Sequence, residues 1–205
     1  MTEGTQPQTN PPARHPGRYE MMAILVDNDP LPTNELAAIV EQHAEFVESG
    51  GAGGRWETFC TPGGHDTGLV IGVYVKQAPG GERGAQADLS HKRLSGPGLR
   101  GLQLPYANLS GVACIEQDLT GANLEGSLLV DSDWSGSILR GALLTHADLS
   151  RADLRGCDLR DASLAGADLE NADLTGSDLR GSQREGARIP GTWLEGCRFD
   201  DAEPK

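Results

Sequence analysis

From Leu89 to Phe199 every fifth residue is a large apolar side chain, with Arg184 as the exception. Eighteen of these 23 positions are leucine, and Cys114, Trp134, Ile189 and Phe199 fill four others. A small residue commonly stands two places earlier, as at Ala107, Ala122, Ser127, Ala147, Ala152 and Ala172. A period of five fits neither a helix, at ~3.6, nor a flat strand, at ~2. The chain therefore has to turn once per pentapeptide and build a repeat structure. One large and one small inward residue per side fill a narrow prism, and stacked coils pair their backbones at about 4.8 Å, as strands do.

The pattern upstream is different. Residues 18–76 read as a small α+β unit, with strands at 19–26, 55–60 and 68–76 and a helix at 33–49. The helix follows Pro30 and Pro32, has Thr33 or Asn34 as its cap, and stops at Gly50 and Gly51. Its apolar face, Leu36, Ile39, Val40, Ala44 and Val47, is expected to pack on one face of the sheet. Residues 1–17 lack apolar anchors and read as a disordered arm. Residues 77–86 read as a flexible linker, 87–201 as the repeat array and 202–205 as a polar tail. The α+β unit is expected either to cap an open end of the array or to recognise a partner.

The repeat reads A-[D/N]-L-x-x, as in Ala107-Asn108-Leu109, Ala147-Asp148-Leu149 and Ala172-Asp173-Leu174. It resembles the pentapeptide repeat family over residues 87–201, without an insertion. The resemblance implies a mainly β fold, a right-handed quadrilateral parallel β-helix with four pentapeptides per coil. In its acidic repeats it is similar to the members that protect DNA gyrase and topoisomerase IV by mimicking DNA. Those members commonly end in a dimerising C-terminal helix, and some carry projecting loops. This chain ends in short polar repeats without such loops, which leaves monomer and dimer both open.

With four pentapeptides per coil, residues twenty apart stack on one face. Asp133, Asp153 and Asp173 then form one ladder, Asp148 and Asp168 a second, and Asp118, Asp158 and Asp178 a third that Arg140, Arg160 and Arg180 partly neutralise. Between Tyr106 and Arg180 thirteen acidic residues face five basic ones, a difference of eight negative charges. Spread over roughly 18 Å of axis, that is one charge per roughly 2 Å, near the ~1.7 Å of duplex DNA. Two readings stay open: the carboxylates serve the corners of the fold, or they present a surface to a type II topoisomerase. Leu128, Ile138 and Leu143 stand where Asp or Asn is usual, with Val130 nearby. An apolar cluster on an acidic rod is a candidate contact site. Arg184 at an inward position is expected to turn its head to solvent or to distort its coil.

Composition adds exclusions. The formal net charge is −13, no apolar run reaches the ~18 residues of a membrane span, and the start has no signal-peptide core; a cytoplasmic location is expected. The five histidines, His15, His43, His65, His91 and His146, are scattered and read as surface residues. Residues 50–54 are glycine-rich but follow a helix instead of preceding one, the wrong order for a phosphate cradle. The four cysteines have no ligand spacing, and Cys157 and Cys197 are two coils apart, roughly 9 to 10 Å at the strand spacing, beyond disulfide reach. No catalytic set, metal or cofactor is expected, nor a membrane or direct nucleic-acid interaction. The expected function is a non-enzymatic scaffold that presents a rigid acidic β-helix to a protein partner. The alternative is a resistance or immunity protein that shields gyrase or topoisomerase IV.

Overall fold

A computed structural model describes residues 29–51, 55–60, 70–75 and 86–200. The expected arm, the strand at 19–26, residues 77–85 of the linker and the tail lie outside the described residues. In the array, residues twenty apart pair in parallel, from Asp88 with Asn108 to Asp178 with Arg198. Four pentapeptides therefore complete one coil, and the coils stack into a four-walled solenoid. We number the walls by their first inward residues: wall 1 begins at Leu89, wall 2 at Leu94, wall 3 at Leu99 and wall 4 at Leu104. Inward N–H groups bond to the next coil, as Leu129 N does to Asp148 O at 2.7 Å. The N–H two residues on does the same, as from Gly166 to Glu185 O at 2.9 Å, while the preceding residue donates backwards, as from Asp148 to Ser127 O at 3.0 Å. Each pentapeptide thus sends two donors towards the C-terminus and one towards the N-terminus.

The inward leucines and alanines form one continuous buried core running up the axis. Burying a leucine is worth about 1.5–3 kcal/mol, so the stability of the array grows with each coil. Arg184 is half-buried, so neither the turn to solvent nor the distorted coil expected of it is what the structure shows. Its guanidinium lies 5.1 Å from the Phe199 ring centroid and donates to Leu179 O at 2.9 Å and to Ser182 Oγ.

The corners explain the glycines. The second residue after each inward one adopts a left-handed φ, at glycines and also at His91, Tyr106, Glu116, Asp131, His146, Arg151, Asp161 and Asn171. Gly156 (φ +66°) and Gly166 (φ +65°) share this geometry, but a Cβ on Gly166 would lie 2.6 Å from His146 Cε1, whereas nothing lies within 4 Å at Gly156. Gly156→Ala is expected to cost roughly 1–2 kcal/mol for the left-handed backbone alone. Gly166→Ala should cost more, and His146→Ala in the same chain should remove the excess. Chemical denaturation of these three variants and of His146→Ala alone checks this; equal costs at the two glycines would refute the steric account.

Helix α1, Thr33–Phe46, ends in a single wide turn, Val47–Gly51. It is preceded by Pro32, with no side-chain cap, so neither Thr33 nor Asn34 plays that part. Strands β1, Arg55–Cys60, and β2, Val70–Val75, form an antiparallel pair, with Arg55 opposite Val75. The expected seat of the helix needs correction. Pro30 pairs in parallel with Arg93, Leu31 N bonds Arg93 O at 2.8 Å, and Leu31 and Leu36 belong to the solenoid core. α1 thus packs over the first coil, with Ile39 and Val40 against the same core. Its inner face is also rotated from expectation: His43 and Phe46 are buried and Ala44 is exposed. A hydrophobicity pattern does not register an imidazole whose two nitrogens both find backbone partners: His43, expected at the surface, is buried.

Candidate functional site

The outward rows are where a solenoid meets a partner, and the four walls differ. The aspartates before the inward leucines are committed to the fold: Asp133 Oδ1 accepts from Ser135 N at 3.0 Å, Asp148 from Ser150 N at 3.0 Å, Asp168 from Glu170 N at 2.9 Å and Asp173 from Thr175 N at 3.0 Å. Each carboxylate closes a tight turn at its corner, a role asparagine fills equally at Asn108 and Asn123. The hydrogen bonds from Thr120 and Arg180 hold the Asp118 and Asp178 carboxyls below the usual carboxylate range, while burial pushes Asp148 up.

The three ladders proposed from the repeat exist, but as different surfaces. On wall 2, Asp133 is half-buried, Asp153 is 1% exposed and Asp173 is 4% exposed. Arg155 pairs with Asp153 through its Nε and Nη2. On wall 1, Asp148 and Asp168 are half-buried, and Asp168 pairs with Arg188 at 2.9 Å. On wall 3, Arg140 and Arg160 both reach Asp158, at 2.8 and 2.6 Å, and Arg180 holds Asp178 at 2.6 Å. Much of the negative charge that the sequence totals is therefore folded against the backbone or neutralised by arginine.

The apolar trio divides. Leu128 is fully buried, so its expected place in an exposed cluster is not met, and Val130 beside it is 1% exposed. Ile138, on wall 3, is 39% exposed and Leu143, on wall 4, is 44% exposed. Their walls adjoin, and both residues belong to the same coil. Wall 4 has a further property that no single motif announces. Its outward row is Gln103, Asn123, Leu143, Ser163 and Gln183, with Pro105, Glu125, Thr145, Ala165 and Glu185 beside it. From Gln103 to Ala165 its one carboxylate is Glu125, which accepts from Tyr106 Oη at 3.4 Å. The signal was available in the sequence as the one column without aspartate, but it emerges only after the chain is wrapped four repeats to a coil.

Chemically reactive groups do not assemble on these walls. Burial pushes the Cys114 and Cys157 thiols up to about 12, and Cys157 Sγ donates to Trp134 O at 3.0 Å. Both behave as small core side chains. Among the described residues no group of three or more metal-ligating side chains converges, and no helix is long and apolar enough to cross a membrane.

The sequence profile described as pentapeptide repeats matches in eight copies, at residues 107–145, 118–156, 142–181 and 157–201. No protein of curated function matches the chain. Among solved structures, a pentapeptide repeat protein of the Arabidopsis thaliana thylakoid lumen is 30% identical, with 52% of this chain and 71% of that one covered and a TM-score of 0.38. The pentapeptide repeat protein Rfr23 of the cyanobacterium Cyanothece 51142 is 34% identical over 48% of this chain and 60% of that one, TM-score 0.27. QnrB1, a plasmid-mediated fluoroquinolone resistance protein, is 18% identical over 56% and 60%, TM-score 0.34. With its register of inward leucines and its coils of twenty residues, the chain belongs to the pentapeptide repeat family, whose fold is the right-handed quadrilateral β-helix.

Proposed function

We propose that this protein is a non-enzymatic binding scaffold and that wall 4, with the adjoining Ile138, is the surface it offers to a protein partner in the cytoplasm. The observation that carries this reading is Leu143, 44% exposed at the centre of the one wall without aspartates or a paired arginine ladder. A flat surface with few charges, centred on an exposed leucine, can be desolvated without stranding ions. The charged walls cannot, because covering them would bury carboxylates and guanidinium groups. The partner this surface suits is a protein with a flat, mainly apolar face; phosphate-rich nucleic acid finds no cationic groove there.

A photo-crosslinking residue at Ala165, on wall 4, is expected to capture a discrete partner in host cells, and one at Arg160, on wall 3, is not. Leu143→Asp should abolish the adduct while leaving the circular dichroism spectrum unchanged. Equal capture from both walls, or an adduct indifferent to Leu143→Asp, would reject the assignment.

Shielding of a type II topoisomerase by DNA mimicry is the second reading, and the net charge of −13 favours it. It requires carboxylates presented to the partner, whereas Asp153 and Asp173 are buried. If mimicry operates, the protein alters gyrase supercoiling, salt weakens the effect, and Asp133, Asp153 and Asp173 changed together to Asn abolish it. A wild-type protein inert on gyrase and topoisomerase IV would eliminate this reading and leave the scaffold.

A further inference from the structure

The direction of the backbone hydrogen bonds leaves the two ends of the solenoid chemically unlike. Because each pentapeptide sends two donors forwards and one backwards, the N-terminal edge of the first coil is rich in carbonyls that need donors. Higher up, the carbonyl equivalent to that of Pro105 receives a backbone N–H: Glu125 O takes Tyr106 N at 2.7 Å. At Pro105 the donor is a side chain. His43 Nε2 lies 2.7 Å from Pro105 O, and its Nδ1 accepts from Ala87 N at 3.0 Å. Ala107, the residue equivalent to Ala87 one coil on, finds its partner within the array, at Leu104 O. The imidazole therefore stands in for parts of a coil that the first one lacks.

One protonation state alone fits this position. Pro105 O can only accept, so Nε2 carries a hydrogen; Ala87 N can only donate, so Nδ1 is bare. A proton on Nδ1 would set N–H against N–H. The ring has no exposure to solvent and stacks on Phe46 at 5.7 Å between centroids, so no water can accept the extra hydrogen. We propose that His43 is a proton-sensitive latch: acidification releases α1 from the first coil and opens the N-terminal end of the core.

The surroundings agree. On α1 the carboxylates of Glu35, Glu41 and Glu45 are exposed, as is Glu48 in the turn that follows. On the first coil the charged or titratable groups are Asp88, His91, Lys92, Arg93, Arg100 and Tyr106, with Asp88, Arg93 and Arg100 exposed and Arg100 paired with Asp118. None of these is a cause of the His43 shift: burial lowers its pKa, and the hydrogen bond to Pro105 O opposes that more weakly. Below the ordinary histidine value of ~6.5 the released helix takes up a proton that the latched one refuses. The latch is therefore intact above that value and weakens about tenfold per pH unit below it, down to the lowered value of the latched state.

Hydrogen exchange of the full chain at about pH 7.5 and 5.0, corrected for intrinsic rates, tests the proposal. Opening of α1 and of the segment around Ala87 should rise on acidification, by up to about thirtyfold, while residues 139–164 hold their protection. In His43→Gln, which keeps a donor but cannot titrate, the ratio between the two pH values should fall to near one, whatever the absolute protection. The imidazole resonances of His43 should report a neutral ring for as long as α1 stays protected. An unchanged ratio in the wild type, the same ratio in His43→Gln, or a His43 that protonates near its ordinary value with α1 still protected would each overturn the latch.

Discussion

Leu154→Ala is expected to destabilise the protein by roughly 2–5 kcal/mol, and Leu194→Ala by about 1 kcal/mol or less. Both leucines occupy the same register on wall 2, two coils apart, and by sequence they are interchangeable. Leu154 has no solvent exposure and has coils above and below it; Leu194 is 39% exposed. In a solenoid each repeat contacts only its neighbours, so an interior deletion leaves a cavity walled on both sides, whereas a terminal one opens to water. Urea midpoints at unchanged slope measure both costs. Equal losses at the two positions would mean that the described end is not an end of the core, and a negligible loss at Leu154 would overthrow the inward register itself.

Trp134→Ala should cost about 3–5 kcal/mol. Trp134 heads the fully buried side chains by volume, and its Nε1 donates to Ser132 Oγ at 2.6 Å; that hydroxyl in turn donates to Leu129 O. The column it occupies on wall 2 holds Leu94, Cys114, Trp134, Leu154 and Leu174. The oversized indole therefore follows an undersized thiol, and two departures from leucine cancel in volume. Cys114→Leu alone should overpack the column by about 1–3 kcal/mol. Combined with Trp134→Leu, it should cost clearly less than the sum of the two single changes, because each then relieves the other's misfit. Additive costs in a double-mutant cycle would show that the two positions pack independently.

How much was legible beforehand follows from which interactions are local. The inward leucines, the small residues before them and the corner glycines each answer a constraint that recurs every five residues, so the period determined a repeat that turns once per pentapeptide, while the coil of twenty, with bridges such as that between Asp133 and Asp153, was what the family resemblance implied. The strand pair formed at Arg55–Cys60 and Val70–Val75, against the 55–60 and 68–76 expected. The aspartates, by contrast, carried the same letter whether exposed or enclosed. The sequence could total their charge, but only the stacked coils decided that Asp153 lies buried with Arg155 and that Asp158 is shared by two arginines. The trio Leu128, Ile138 and Leu143 likewise looked equivalent until the fold buried the first and exposed the other two.

The seat of α1 was decided by tertiary structure as well. Its pattern specified a helix with one apolar face but not what that face would meet, because a two-stranded sheet and an open solenoid end offer similar apolar surface. The first coil also has carbonyls that no preceding coil supplies with donors, and His43, sixty-two residues before Pro105 in the chain, meets one of them. Repetition writes the array into the sequence, since every coil solves the same local problem. The ends and walls of that array are each solved once, by residues distant in the chain, and these are what distinguish this protein from a plain stack of pentapeptides.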